Sequence, residues 1–224
     1  MSQFHLAIDT STSRSVVAVL NGETLVSSWI GPAGTQHNET LLAGIHECVS
    51  AAKIKLSDLQ WLDLGVGPGM FTGLRVGVAT AKFLAESQGI KISPVSSLLA
   101  LNLSAKASTR VFALSDARSG RIYVLKLEGA ERSVLHGTKE AEEVALQPPE
   151  VAALLAPNDL LIGEAAIIYK EHWPIGTQTS SIPEEHIISA YQVGLIGLSL
   201  FQRGLALDPL HIEPRYLKTG QKYL

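Results

Sequence analysis

The chain has 224 residues, of which 46% are hydrophobic and 17% charged, and its formal net charge is −3 at pH 7. This composition supports one or two domains with a substantial apolar core, and the negative charge argues against a protein that holds nucleic acid alone through a large basic face. The single cysteine, Cys48, excludes an intrachain disulfide and fits a reducing compartment. No apolar run has the length of a membrane span and no signal-peptide pattern opens the chain, so we expect a cytoplasmic protein without membrane contact.

The first predicted elements are strands at residues 4–8, 15–20 and 23–29, with Asn21-Gly22 as the hairpin turn between the last two. A polar run, Asp9-Thr10-Ser11-Thr12-Ser13, separates the first two strands. Such a turn can hold phosphate oxygens or a hydrated cation. It can also be an Asx or Ser/Thr turn that satisfies its own backbone, and the sequence leaves both interpretations open.

A helix is predicted at residues 38–53, because apolar residues recur there at helical spacing on one stripe: Leu41, Leu42, Ile45, Cys48, Val49 and Ala52. The position of Cys48 on that stripe indicates a core residue rather than a nucleophile. At the start of the helix, His37 is interpreted as a capping or surface residue, with a ligand role as the alternative.

The most distinctive stretch of the sequence is a glycine motif, Gly67-Pro68-Gly69-Met70-Phe71-Thr72-Gly73-Leu74-Arg75-Val76-Gly77. It connects a predicted buried strand at residues 61–66 to a predicted helix at residues 72–88, and Gly89 ends that helix. Free N–H groups at the start of that helix can bind an anion. The other interpretation is a turn that only packs a strand onto a helix, since the Gly-Lys-Ser/Thr of a P-loop is absent. Small residues such as Gly73 and Gly77 allow a close helix contact. Arg75 opposes the helix dipole, so either it has a carboxylate or anion partner or it lies in solvent.

The rest of the chain alternates strands and helices, which predicts an α/β fold. Strands are predicted at residues 90–95, 111–114, 121–127, 133–136 and 160–162, and helical segments at 96–107, 148–155, 163–170 and 189–203. Gly204 ends the last helix. Asp116 lies between the first two strands of the second set, as Asp9 does in the first set.

No arrangement for independent catalysis is found. The seven histidines are scattered and none forms an H-x-x-x-H or H-E-x-x-H pair, so we predict neither a metal site nor a catalytic residue. A Gly-x-Ser-x-Gly nucleophile elbow is also absent.

Four motifs in order resemble the TsaB family, also called YeaZ. They are Asp9-Thr10-Ser11-Thr12, the glycine motif, Asp116-Ala117-Arg118-Ser119-Gly120-Arg121-Ile122-Tyr123, and the tail Pro214-Arg215-Tyr216-Leu217-Lys218. Met70 departs from the serine that is frequent in the family. The resemblance implies two actin/Hsp70-like (ASKHA, ribonuclease H-like) α/β lobes: residues 1–105 joined by the last helix, 189–204, then residues 106–188, and a tail at 205–224.

The resemblance also implies a function. The family makes threonylcarbamoyladenosine at the adenosine 3′ of the anticodon, in tRNAs that read codons starting with A. Its members are scaffold paralogs of the catalytic subunit TsaD, to which they bind, and the ATPase TsaE docks on that pair. We therefore expect a TsaD-like partner, a TsaE-like partner and tRNA contact through the complex, with a homodimer as a further option. The chain would carry no cofactor of its own, because ATP and a metal belong to the partner subunits.

A residue comparison supports the non-catalytic role implied by the resemblance. The catalytic paralog has a metal-binding run, Val-x-His-x-Glu-x-His, which aligns with residues 95–101 here. Its two histidine positions fall on Ser97 and Leu101. A hydroxyl and a leucine do not replace imidazole as ligands of iron or zinc.

In the family the two subunits pair through their first two long helices. If the same helices pair in this chain, the resemblance predicts interface residues on the helices at 38–53 and 72–88. They are Leu41, Leu42, Ile45, Val49, Arg75, Val76, Ala79 and Phe83. The other interpretation is that both faces of these helices pack internally.

A vestigial nucleotide cleft is predicted from the polar turns and the glycine motif, at Asp9, Thr10, Ser11, Gly67, Gly69, Thr72 and Asp116. The alternative function is a small ATP-dependent kinase or hydrolase of the actin-like superfamily, which would use five of these residues around ATP: Asp9, Thr10, Gly67, Gly69 and Asp116. A length of 224 residues argues against it, because sugar kinases of that superfamily need inserted segments to hold adenosine and substrate. A metalloprotease does not fit, since the histidine pair is missing.

Overall fold

The computed structural model describes residues 2–34, 36–105, 110–118, 120–128 and 142–217. It divides the chain into two compact units, residues 1–97 with 189–215, and residues 98–188 with 216–224. Each unit is built on its own five-stranded sheet. Within the described part of the chain, no helix is both long enough and apolar enough to cross a membrane.

The elements up to the boundary between the units are β1 (Phe4–Asp9), β2 (Val16–Asn21), β3 (Thr24–Ile30), α1 (His37–Ala51), β4 (Trp61–Gly67), α2 (Phe71–Gln88), β5 (Lys91–Ser96) and α3 (Ser97–Ser104). The remaining elements are β6 (Val111–Asp116), β7 (Ile122–Leu127), β8 (Glu143–Leu146), α4 (Pro148–Ala152), β9 (Leu160–Ile162), α5 (Glu164–Ile168), β10 (Gln178–Thr179) and α6 (Ala190–Gln202).

The two sheets share one topology. The first has the order β3-β2-β1-β4-β5 and the second β8-β7-β6-β9-β10. In each, the first three strands along the chain are antiparallel and the last two run parallel to the first strand. This repeated order is that of the two-lobed actin/Hsp70-like α/β fold, so the predicted fold class is confirmed.

The central strands of the first sheet, β1, β2 and β4, are covered on both faces, which explains why nearly all of their residues are buried. Alternate residues such as Leu6 and Ile8 of β1 pack with α1 and α2 in one core cluster. On the opposite face α6 packs against β1, β2, β4 and β5. There the indole of Trp61 stacks on the Phe201 ring of α6, with the centroids 4.1 Å apart.

A buried histidine–aspartate pair lies on the face that α6 covers. His5 of β1 and Asp63 of β4 are both fully buried and joined by a hydrogen bond from the ring nitrogen Nδ1. The other ring nitrogen of His5 donates to the Gly22 carbonyl at 2.9 Å. The Trp61 indole N–H donates to Asp63 at 2.8 Å. The pair has no local sequence signal, because its members are 58 residues apart.

Most predicted elements lie within two residues of their observed bounds, and the exceptions have local causes. Asn21 stays in β2 and pairs with Thr24, so the hairpin loop is Gly22-Glu23, with Gly22 at φ +57° in the left-handed region. β8 was missed, and so was β10, which is only two residues long. The strand predicted at 133–136 and the end of the helix predicted at 96–107 lie outside the described residues.

The division into units differs from the predicted boundary at 105/106. It falls after Ser97, because α3 is attached to the second sheet through Asn102, whose side-chain amide donates to the Val111 carbonyl at 3.1 Å and the Leu125 carbonyl at 3.4 Å. The segment 205–215 is part of the first unit rather than a separate tail. Ile212 is buried in the core of that unit, and Leu207 exchanges backbone hydrogen bonds of 2.8 and 2.9 Å with Ile92 of β5.

Candidate functional site

The Asp9 turn, defined here as residues 9–15 between β1 and β2, is closed by its own hydrogen bonds. The Asp9 side chain is fully buried, and its Oδ1 accepts from the Ser11 backbone N–H at 2.7 Å and the Ser11 hydroxyl at 2.6 Å. Its Oδ2 accepts from the Ser97 hydroxyl at 2.6 Å. Burial raises the pKa of Asp9 above its usual range, and these hydrogen bonds oppose that shift. Both carboxylate oxygens are therefore engaged by groups of the protein itself.

The glycine motif is pressed against this turn. A Cβ on Gly69 would lie 2.3 Å from the Ser11 carbonyl oxygen, and one on Gly73 would lie 2.1 Å from the Thr10 carbonyl oxygen. Two hydrogen bonds hold the segments together: Met70 N–H to the Ser11 carbonyl at 2.7 Å, and the Thr10 hydroxyl to the Gly73 carbonyl at 2.8 Å. Glycine is needed at these positions because two backbones touch there.

The first glycine of the motif is enclosed from another side. Gly67 has φ +110°, and its N–H donates to the Ser97 hydroxyl at 3.1 Å. The segment after α6 lies against it, since Arg215 N–H donates to the Val66 carbonyl at 2.7 Å. A Cβ on Gly67 would meet the Arg215 carbonyl oxygen at 2.7 Å. Arg215 of the tail motif is thus packed against the first glycine of the glycine motif.

Of the residues predicted for a nucleotide cleft, the structure brings five together and buries them: Asp9, Thr10, Ser11, Gly67 and Gly69. Thr72 is exposed on the first turn of α2. Asp116 belongs to the second unit, where its Oδ1 accepts from the Arg118 backbone N–H at 3.0 Å and the Tyr169 hydroxyl at 3.2 Å. Within the first unit, a phosphate at the Asp9 turn would have to displace hydrogen bonds that are already made.

His37 connects the Asp9 turn to both long helices and has a larger role than the sequence indicated. It is the first residue of α1 and is buried, not a surface residue. Its Nδ1 lies 2.8 Å from the Ser15 hydroxyl, and its ring edge is within 3.1 Å of the position that a Gly73 Cβ would take. Burial lowers the pKa of His37, while a hydrogen bond to the Thr12 backbone and the charge of Asp9 oppose that shift.

The close approach at Gly73 gives a first prediction. Helix propensity alone would make Gly73→Ala stabilising by about 1 kcal/mol. Because the new Cβ would lie 2.1 Å from the backbone oxygen of Thr10, we expect a loss of about 1–3 kcal/mol in the free energy of unfolding instead. Urea denaturation measures it.

Gly89→Ala is a comparison variant that tests backbone strain without a clash: Gly89 has φ +66°, and among the described residues a Cβ added there would have no atom within 4 Å, so we expect a loss of about 1–2 kcal/mol from strain alone. A Gly73→Ala protein more stable than the wild type would show that the contact between helix and turn is not tight.

Eight residues were predicted to lie at the interface, and for three of them the prediction is wrong because they are not at the surface. Leu41, Ile45 and Val49 are buried in the core cluster of the first unit, where α1 packs on the sheet, so no partner can reach them. The sequence pattern marked the stripe that faces the sheet, because that stripe carries the helical periodicity.

The other predicted interface residues lie outside the core. Leu42 is 59% exposed and Phe83 is 73% exposed. Arg75 and Ala79 are exposed, and Val76 is partly buried. The guanidinium of Arg75 stacks 3.7 Å from the ring of Phe71, a residue that the sequence analysis missed and that is itself 53% exposed.

These exposed side chains form what we call the outer helix face, which consists of Leu42, Ala43 and His46 of α1 and Phe71, Arg75, Ala79 and Phe83 of α2. The four α2 residues follow one another at intervals of four, so they lie in one row along the helix. α1 and α2 contact each other. Two phenylalanines and a leucine at the surface of one helix pair are typical of a protein–protein contact site.

Comparisons with known proteins give a consistent set of similar proteins. The sequence model of the TsaD family, described as tRNA N6-adenosine threonylcarbamoyltransferase, matches residues 32–185. The tRNA threonylcarbamoyladenosine biosynthesis protein TsaB of Haemophilus influenzae is 34% identical, with 96% of this chain and 93% of that protein covered. The TsaB protein of Escherichia coli K12 is 29% identical, with 96% and 94% covered. The structure of YeaZ from Pseudomonas aeruginosa superposes with a TM-score of 0.81 at 24% identity over 96% of this chain and 100% of that chain, which shows a shared fold.

Proposed function

Because the chain belongs to the TsaB (YeaZ) family, as its motifs indicated, we propose that it is the non-catalytic scaffold subunit of a threonylcarbamoyl transfer complex and binds a TsaD-like catalytic paralog. The TsaB relatives are named as tRNA threonylcarbamoyladenosine biosynthesis proteins, and the chain is a protein subunit that acts in this biosynthesis.

The observation that carries the proposal is the outer helix face. Phe83, Phe71 and Leu42 are each more than half exposed, on the two helices that the family uses for pairing. Aromatic residues are enriched at the centres of protein interfaces, where their burial contributes much of the binding energy.

The interior of the first unit supports a non-catalytic role. The Asp9 carboxylate is occupied by Ser11 and Ser97. At the two positions aligned with metal-binding histidines, the Ser97 hydroxyl donates to Asp9 and the Leu101 side chain is buried. In the portion of the chain that the structure describes, no group of three or more His, Cys, Asp or Glu side chains is placed to hold a metal ion. In this proposal, as the family resemblance implies, the ATP and the metal of the reaction are held by the partner subunits.

The wider setting of the proposal follows the family. The complex would act in the cytoplasm on the adenosine 3′ of the anticodon, in tRNAs that read codons starting with A. A TsaE-like ATPase would dock on the heterodimer, and tRNA would be reached through the complex, since a net charge of −3 offers little electrostatic attraction for phosphates.

The test is light scattering on a size-exclusion column, with the chain alone and mixed with the TsaD-like paralog of the same organism. We expect a new one-to-one species. If the chain alone runs as a homodimer, the mixed species should form at its expense, because both would use the outer helix face. If no mixed species forms and the chain alone releases phosphate from ATP, the scaffold proposal fails and the kinase or hydrolase interpretation replaces it.

A further inference from the structure

We propose that the Asp9 turn positions the starts of α1 and α2 for the partner, and that Thr10, Ser15 and His37 are positioning residues for complex formation. This inference rests on the proposed function, in which the outer helix face binds a TsaD-like paralog. It assigns a role in assembly to a polar turn whose sequence resembles a ligand site.

The start of α2 is attached to the turn through buried contacts. The Thr10 hydroxyl donates to the Gly73 carbonyl at 2.8 Å, and Met70 N–H donates to the Ser11 carbonyl at 2.7 Å. A Cβ on Gly77, one helical turn further, would lie 2.2 Å from the Thr10 hydroxyl oxygen. The first two turns of α2 therefore follow the surface of Thr10 with no space between them.

The start of α1 is attached to the other end of the same turn. Gly31, which follows β3, donates its N–H to the Ser15 carbonyl at 2.8 Å and accepts from the Arg14 guanidinium at 3.0 Å, so the turn also holds the end of β3, from which the chain continues to α1. The Ser15 hydroxyl lies 2.8 Å from Nδ1 of His37. The far edge of that ring reaches the position of Gly73, so His37 lies between the two helix starts and maintains their separation.

Neither helix has the usual means of fixing its own start. In the described structure, Gln36 before α1 and Met70 before α2 make no side-chain cap hydrogen bond. An N-cap side chain normally satisfies and orients the first turn of a helix. Here the Asp9 turn makes hydrogen bonds close to both starts, to Met70 and Gly73 on one side and to His37 on the other, so one segment bears on the spacing between them.

The residues that the turn positions include those that would meet the partner. Phe71 is the first residue of α2 and lies between Met70 and Gly73, both of which contact the turn. Arg75, which stacks on Phe71, is the next residue of the row. A shift at the start of α2 would therefore displace exposed interface side chains while the core end of the helix stays in place.

The test uses Thr10→Val, which removes the hydroxyl and keeps the shape, and Ser15→Ala, which removes the contact to His37. Binding of each variant to the TsaD-like paralog is measured by titration calorimetry, and folding by thermal unfolding. We expect weaker binding for each, by up to about tenfold, because the displacement of the helix starts can cost at most about the free energy of the one buried hydrogen bond that held them. Thr10→Ser, which keeps the hydroxyl, should restore the affinity.

A control variant on the opposite face of the sheet distinguishes a positioning role of Thr10 from a general loss of stability. Leu20→Val shortens a buried side chain that contacts α6 at Gly194 and lowers stability without touching α1 or α2. If Leu20→Val weakens binding as much as Thr10→Val does, or if Thr10→Ser fails to restore binding, positioning is excluded. If the wild type binds and both hydroxyl variants bind equally well, this inference fails and the proposed function stands. If the wild type itself does not bind, the proposed function fails.

Discussion

Ala79→Arg and Phe83→Arg will each abolish binding to the TsaD-like paralog while leaving the chain folded. Ala79 and Phe83 are exposed on one row of α2, so a longer charged side chain at either position has room in the isolated protein. In the complex the same guanidinium would be buried in an apolar contact without a partner. Such a charge costs several kcal/mol, and each 1.4 kcal/mol weakens binding about tenfold.

The measurement is titration calorimetry against the paralog, with circular dichroism melting curves to confirm folding. Ile175→Arg is the matched control, because Ile175 is a fully exposed aliphatic residue of the second unit, outside the outer helix face. It should bind like the wild type. Unchanged affinity for Phe83→Arg would show that the partner binds elsewhere. Leu41→Arg should fail to fold, since Leu41 of α1 is in the core.

His5→Ala will destabilise the first unit more than most single substitutions. His5 is the buried partner of the Asp63 carboxylate, and its ring stacks on Trp61 with the centroids 4.4 Å apart. Removing it leaves a buried carboxylate with one lost hydrogen bond and a cavity beside the indole. Breaking one partner of a buried pair costs about 3–5 kcal/mol in the free energy of unfolding. Urea denaturation measures this free energy of unfolding. The control is His46→Ala, at an exposed position of α1, whose free energy of unfolding should stay within about 0.5 kcal/mol of the wild type. A loss below about 1 kcal/mol for His5→Ala, no larger than an average substitution, would contradict the pairing.

The same pair makes stability depend on pH. Burial raises the pKa of Asp63 to about 6, while hydrogen bonds and charge from His5 oppose the shift. The folded state therefore binds this proton more tightly than the unfolded chain, in which an aspartate titrates near 3.8. The contribution of Asp63 to stability is complete below pH 3.8 and is lost as the pH rises through about 6.

Asp63→Asn is the test of that dependence, because its amide does not titrate. The difference in free energy of unfolding between wild type and Asp63→Asn should shift in favour of the variant as the pH rises through this range. His5 is the titratable group in direct contact with Asp63, and α6, which packs against the pair, contains no Asp, Glu, Lys, Arg or His. A difference that does not vary with pH would contradict the raised pKa.

Much of the fold was predictable because its signals are local. Period-two and period-3.6 patterns located most strands and helices, and Gly89 ends α2 in the left-handed conformation, with φ +66°. β10 was missed because two exposed residues carry no pattern. The pairing of His5 with Asp63 was missed because only the parallel arrangement of β1 and β4 brings them together.

The sequence indicated which residues of the candidate site lie together, but not what their polar groups bind. Asp9, Thr10, Ser11, Gly67 and Gly69 do come together. The sequence could not decide between a ligand and the backbone of the protein as the partner of the polar turn, because either one satisfies the same hydrogen-bonding groups. The structure shows the backbone and Ser97 in that role within the first unit.

The sequence by itself determined the family, through motifs in a specific order, and the α/β class, through periodicity. Only the tertiary structure decided which helix faces are available to a partner. Leu41 and Leu42 are adjacent and chemically identical, yet Leu41 is buried and Leu42 is 59% exposed. One residue corresponds to a rotation of about 100° around the helix, and the rotation of α1 about its axis depends on packing against a sheet whose strands come from distant parts of the chain.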